Sequence, residues 1–358
     1  MTVLDLPPFS DHPMTSSIIS VAPLGTPWET IDPFLVCSHH VDHYPPGNAS
    51  LGPDVPLLGD AAAGKDWRMY FGQTVPGFPA HPHRGFETIT IVRQGVVDHS
   101  DSLGARARFG AGDVQWLTAG QGVVNSEMFP LLNSSTPNPL ELFQIWLNLP
   151  ARNKMVEPNF TMFWANDIPR HVVMSAGGRT EVTCIVGTPV GVDGQTPPPP
   201  PSKSWAADPN SDLAIWTLKM APGARWALPA AAGKTTRRML YFFKGAGVSI
   251  DGQRVDRHAA IELRATRSVE LVNGPEASEF LLLQGRPIGE PVAQYGPFVM
   301  NTQAELQQAF DDYRRTEFGG WPWPDNAPVH GAERVRFAKH ADGRVETLPG
   351  HAVVNEPG

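Results

Sequence analysis

Two pairs of side chains stand out because their types bind metal and their spacing puts each pair on one side of an extended strand. His81 and His83 flank Pro82, and Asn125 and Glu127 flank Ser126 about forty residues later. Residues i and i+2 of a strand face the same way, so two such strands would offer four donors to one spot. Imidazole is a strong ligand for iron, nickel, copper and zinc, whereas a neutral amide oxygen is a weaker, harder donor. Two histidines with one carboxylate form the set that holds non-haem Fe(II) while leaving positions open for substrate and O2. Asn125 has three roles open to it: weak ligand, holder of a bound water, or partner that orients Glu127. The bland alternative is a pair of polar histidines near a barrel rim with no ion at all.

The segments around these pairs read as strands. Phe86–Val92 is rich in β-branched and aromatic residues, and turns are expected at Gln94-Gly95, at 101–104 and at 110–113. Val114–Leu117 and Val123–Phe129 continue the series, with Thr118-Ala119-Gly120-Gln121-Gly122 as the turn before the second pair. Short strands at hairpin spacing predict an all-β barrel with a site in its mouth. An apolar strand, Leu140–Leu149, ends at Pro150, and a crossover through 151–169 leads to a second β-rich segment over about 172–284. The run Pro197–Pro201 must lie in a loop or an extended polyproline stretch, since proline cannot serve a central strand.

His-Pro-His-Arg-Gly-Phe-Glu-Thr at 81–88, Gly-Asp-Val-Gln-Trp at 112–116, Thr-Ala-Gly-x-Gly at 118–122 and Gly-Pro-Phe-Val-Met-Asn-Thr at 296–302 closely resemble the pirin family of the cupin superfamily. The resemblance covers about residues 25–320. It implies an all-β bicupin: two tandem cupin-type β-barrels followed by a C-terminal helix. The parts would be an N-terminal barrel over 1–165 with the metal site, a second barrel over 166–290 without ligands, and a segment over 291–358 with one helix and an extra tail. It also implies one mononuclear metal, Fe(II) or another divalent transition ion, held by His81, His83, Asn125 and Glu127, with Glu127 as the catalytic residue. The chain departs from the family at one ligand, because Asn125 stands where the pattern has a third histidine.

The same resemblance implies a dioxygenase that opens the flavonol quercetin, acting on a small aromatic substrate. A non-catalytic, metal-binding regulator working through a protein partner is the alternative, as is a metal site that has decayed. Phe86, Phe129 and Trp116 are candidates to shield the reaction. Many cupins draw a glutamate from three or four residues beyond the second histidine, but the pirin pattern takes its carboxylate from the later strand. Glu87 is therefore expected near the rim or behind the ligands, paired with Arg84. His99 and the cluster His39, His40 and His43 are expected to be solvated or locally hydrogen-bonded, since adjacent side chains on a strand cannot all face one ion.

The remaining features set limits. Length suits two domains: 358 residues, 41% hydrophobic and 18% charged, with 37 prolines and 34 glycines, as a turn-rich β protein requires. A net charge of −8 and isolated doublets at Arg237-Arg238 and Arg314-Arg315 argue against direct nucleic-acid binding. No apolar run long enough to span a membrane and no signal-like start are present, so a cytoplasmic protein is expected. Cys37 and Cys184 lie too far apart in the chain for a paired motif. From Val172 to Met300 the one histidine is His258, read as a turn residue. Thr302 three before Glu305 predicts a capping box, and Leu306, Ala309, Phe310 and Tyr313 form an apolar stripe expected to dock on a barrel. Trp321 and Trp323 are candidate anchors for the tail.

Overall fold

The computed structural model of the protein describes residues 16–54, 66–191 and 194–352. Among the described residues strands hold 47% and helices 7%, which makes the class all-β with a single α-helix. Two barrels are each built from two facing sheets. In the first, a six-stranded sheet runs, in spatial order, Val345–Ala352, Val335–Lys339, Arg106–Gly110, Val96–Asp101, Val123–Met128 and Gly77–His83. Its companion runs Asn159–Phe163, Val114–Thr118, Phe86–Gln94, Asn138–Asn148 and Phe34–Tyr44. The expected crossover after Pro150 thus carries a strand of its own, Asn159–Phe163, paired with Val114–Thr118.

Strand Phe86–Gln94 shows why the chain takes this form. Its first seven residues are all buried, because both of its faces are covered. Val92 joins the interior cluster of the first barrel, while Ile89 and Ile91 join a second cluster on the opposite face. That second cluster is shared: Val114, Trp116, Phe143 and Leu147 of the first barrel meet Ile185, Ile215, Tyr241 and Leu283 of the other. The barrels are therefore welded sheet to sheet by an apolar core, where each fully buried large side chain contributes about 1.5–3 kcal/mol. Arg93 adds a polar clamp at the edge of this seam, pairing with Glu141 of its own barrel and Glu279 of the other.

The second barrel combines a seven-stranded and a four-stranded sheet. Its interior is packed with Trp216, Leu218, Trp226, Phe242, Leu271 and Phe280 among other apolar groups. His258 lies in a loop, its Nε2 against the Gly245 carbonyl. Residues 197–201 form no strand.

The two ends of the chain are exchanged between barrels. Strand Ile18–Pro23 pairs with Ala259–Leu263 in the second barrel, whereas Val335–Lys339 pairs with Arg106–Gly110 in the first. The helix Gln303–Thr316 carries the expected capping box between Thr302 and Glu305. Its stripe, Leu306 and Ala309 with Phe310 and Tyr313 at the margin, docks on the hairpin strands that carry Ala293, Phe298 and Met300. Beyond the helix the tail straps the first barrel. Asn326 accepts from the Ala80 amide at 2.7 Å, Trp323 Nε1 donates to the Asp101 carbonyl, and Trp321 Nε1 bonds only locally, to Asp325. Among the described residues no helix is long and apolar enough to cross a membrane.

Candidate metal centre

Strands Gly77–His83 and Val123–Met128 are antiparallel neighbours, and the register sets His81 directly opposite Asn125 and Phe78 opposite Glu127. Two residues on one strand, Pro79 and Ala80, thus oppose one on the other, Ser126. Such a bulge re-aims side chains and is common beside functional sites. The bulged strand is the edge of its sheet, where Pro79 and Pro82 are tolerated, and Asn326 of the tail covers it. Gly122, at φ +136°, starts the second site strand against the ring of Phe318, which a Cβ there would strike at 2.6 Å. Behind His83, the buried ammonium of Lys154 donates to the carbonyls of Gly85 and Val299 and to Asn148, which pins the turn after the histidines. Burial lowers this amine to about 8.

Each histidine has one ring nitrogen tied to the backbone and one left over. His81 Nδ1 lies 2.8 Å from the Pro79 carbonyl, which leaves Nε2. His83 is hydrogen-bonded to the Pro297 carbonyl, and its Nδ1 is buried without a partner. The two rings stand nearly perpendicular with centroids 4.7 Å apart. Burial holds both imidazoles below the ordinary histidine range, His83 well below it with the neighbouring His81 as a further cause. Glu127 is 3% exposed; Thr90 donates to its Oε1 at 3.0 Å and Gln144 to its Oε2 at 2.6 Å. Asn125, 1% exposed, has neither amide atom satisfied.

The fit of this cluster to a metal ion follows from those atoms. Buried polar groups are almost always paired, so several orphans on one barrel face mark where an ion or ordered water belongs. Neutral imidazole nitrogens, a carboxylate and an amide oxygen suit a divalent transition ion. Among the described residues, however, no three His, Cys, Asp or Glu side chains already meet closely enough to hold one. Glu127 is turned toward Thr90 and Gln144, and Asn125 offers an unpaired amide. The donors fit in kind, and rotation of side chains must close the shell.

The other candidates separate clearly. Phe86 packs on His83 with ring centroids 5.1 Å apart, and Trp146 does so at 5.5 Å. Phe129 joins Tyr70 and Phe78 at the barrel mouth, where Phe71 is 76% exposed. Trp116 shields nothing here, because strand alternation sends it into the core between the barrels. Glu87 also faces that seam. It accepts from Thr118 at 2.7 Å and Ser204 at 2.5 Å, and Arg84 pairs instead with Asp312 of the helix. His39 bonds Glu141 and stacks on Phe143, His40 bonds Tyr70, and His43 is exposed, in line with the solvated or locally bonded reading. His99 is likewise locally bonded, to Asp101 two residues on, but it is fully buried and lies directly across from Glu127. Its inward position could have been suspected from the alternation of Val97, His99 and Asp101 on a strand.

Burial raises the Glu87 carboxyl to about 7. A carboxyl raised in the folded state contributes stability that is complete below its unfolded value near 4.5 and is lost as pH rises through about 7. Glu87→Gln is therefore expected to leave metal content intact and to stabilise the protein above pH 7, by about 1–3 kcal/mol at pH 8. Thermal melts of both proteins at pH 5 and pH 8 check this. A gap between them that does not widen at the higher pH, or loss of metal, would count against the placement of Glu87.

A two-barrel, all-β chain with a histidine- and carboxylate-bearing face in its first barrel defines a bicupin. The pirin family model matches residues 29–147 and that of the pirin C-terminal cupin domain matches 215–319. The chain belongs to the pirin family. It is 36% identical over 241 residues to a pirin-like protein of Solanum lycopersicum, covering 66% of this chain and 75% of that one. A Pseudomonas aeruginosa protein with a provisional name as a quercetin 2,3-dioxygenase is 37% identical over 243 residues, 67% of this chain and 79% of that one. Among solved structures, a quercetin 2,3-dioxygenase from Acinetobacter baumannii superposes with a TM-score of 0.64 at 26% identity, over 85% of this chain and 96% of that one.

Proposed function

We propose that the protein is a metal-dependent dioxygenase of the quercetin 2,3-dioxygenase type, with Fe(II) in the first barrel and a flavonol or similar aromatic enol as substrate. One observation carries this reading: a half-buried His81 and a buried His83, each with one nitrogen fixed on a carbonyl and one free, on the face that also holds Glu127. The names of the Pseudomonas and Acinetobacter relatives support the substrate class.

His81 through Nε2, His83 through Nδ1 and Glu127 would hold the ion, with Asn125 as a weak fourth donor. Bound there, the metal supplies Lewis acidity toward a substrate hydroxyl and a means of engaging O2. Once turned from Thr90 and Gln144 toward the ion, the Glu127 carboxylate can take the hydroxyl proton. Phe78, Tyr70 and Phe129 form an aromatic wall at the mouth that can stack on a flat ring system and exclude water. Phe86 and Trp146 dry the inner side of His83.

The unclosed shell and the amide at 125 favour a second reading, a pirin-type regulator that acts through a protein partner and does not turn over substrate. Elemental analysis of chelator-free protein with oxygen uptake on quercetin separates the two. Near-stoichiometric iron with turnover is the expected result. Metal without turnover would support the regulator, and no metal after reconstitution would mean that the site has decayed.

A further inference from the structure

We propose that the mouth of the second barrel is a binding site for a small organic carboxylate, held on the buried guanidinium of Arg238. The two barrels correspond around their central strands: Arg237–Lys244 lies between Ala259–Leu263 and Ser278–Gly285 as Phe86–Gln94 lies between Val114–Thr118 and Asn138–Asn148. Each central strand breaks register near its end, after Val92 in one and Phe242 in the other. Counted back from those breaks, Leu240 and Leu282 stand where Thr90 and Gln144 hold Glu127. Arg238 faces Gln284 where Thr88 faces Trp146, the ring packed on His83. Apolar residues thus stand in place of the pair that serves Glu127, while a cation stands at the end where the first barrel opens. A cavity of about 350 Å3 lies there, a size usual for small-molecule sites.

Arg238 is 1% exposed and shares the interior face of its strand with Leu240. Buried charges are normally paired with opposite ones. The acceptors that Arg238 bonds among the described residues are all neutral: Nε and Nη2 donate to Gln284 Oε1, and Nη1 to the Pro229 carbonyl. One N–H on Nη1 and one on Nη2 remain. Asp212 acts on this charge only through space. Its Oδ2 accepts from the Gly233 amide and the Thr236 hydroxyl, and its Oδ1 from Gln284. Asp208, also in the cavity wall, pairs with Arg152 and Arg286. Burial lowers the Arg238 guanidinium to about 10, which a ligand carboxylate would reverse by accepting the two remaining N–H groups. The rest of the wall suits an apolar body. Trp216, Leu213 and Val186 line the cavity together with Pro197–Pro200, and the Trp216 ring is fixed by a 2.7 Å bond from Nε1 to the Gly187 carbonyl. A run of prolines is stiff before a ligand arrives, so little ordering opposes binding. One cation among apolar walls matches a monocarboxylate.

Benzoate is the probe, with benzamide as its uncharged counterpart. Calorimetry on full-length protein treated with a chelator, so that no metal contributes, is expected to give one benzoate per chain with a Kd of about 1 mM or tighter, and benzamide at least about tenfold weaker. Arg238→Met is expected to weaken benzoate at least about tenfold. If that variant does not fold, crystals of the wild type soaked in 4-bromobenzoate decide the matter: the anomalous peak of bromine is expected in the second-barrel cavity, with the carboxylate on Arg238. The site would be overturned by any of four results: no benzoate binding by the wild type at about 10 mM, equal affinity for benzamide, unchanged affinity in folded Arg238→Met, or bromine found only elsewhere. Each of these leaves the metal reading of the first barrel untouched.

Discussion

Glu127→Ala is expected to abolish stable metal binding, with an affinity loss beyond the roughly 10–100-fold that removal of an outer partner costs. It is the one carboxylate that strands Gly77–His83 and Val123–Met128 bring to the face shared by His81 and Asn125. The deletion also strands the buried Thr90 hydroxyl and the half-buried Gln144 amide, which now share its oxygens. Stability should therefore fall by about 1–3 kcal/mol. Glu127→Gln separates the effects, because it retains acceptor capacity while removing charge. His81→Ala is expected to match the metal loss. Anaerobic calorimetric titration with Fe(II) checks each variant, and unchanged affinity would remove that residue from the shell.

Asn125→His is expected to act in the opposite direction. The position lies opposite His81 and two residues from Glu127 on the same face, so an imidazole there enters the same site. Its buried amide atoms are unpaired, so the substitution breaks no hydrogen bond described in the structure. Affinity for Fe(II), Ni(II) and Cu(II) should rise by an order of magnitude or more, and that for Mg(II) hardly at all, since imidazole suits the former ions. If occupancy limits the protein, oxygen uptake on quercetin should rise with metal content. If the amide keeps a coordination position open, binding would tighten while turnover stayed flat or fell. No change with any of these ions would mean that Asn125 does not face the site.

Much of this architecture was legible because its signals are local. The His-x-His and Asn-x-Glu pairs declare their faces through strand alternation, and the capping box at Thr302 announces the helix. What required the structure was register and what covers each face. Trp116 looked like a shield for the chemistry, yet one step of alternation sends it to the seam. Glu87 was placed near Arg84 by proximity in sequence, whereas the pairing of strands carries it to Ser204 of a distant loop. His99 read as a local polar residue because nothing in its own segment reveals that Glu127 lies across from it. The tail had no readable role, since its strands become meaningful only beside Arg106–Gly110.

The exchange of chain ends also imposes a timetable on biosynthesis. The Asp98–Arg108 ion pair lies buried on the outer face of the site sheet, and Arg108 is capped by the carbonyls of Gly331 and Glu333, the latter 225 residues downstream. At translation rates of about 5–20 residues per second, that interval is roughly 10–45 s. For that period the first barrel has its central strands but an open edge and an uncapped guanidinium at Arg108. Its final closure waits for the ribosome to deliver strand Val335–Lys339. Maturation of the histidine-bearing face is thereby coupled to synthesis of a segment more than two hundred residues downstream.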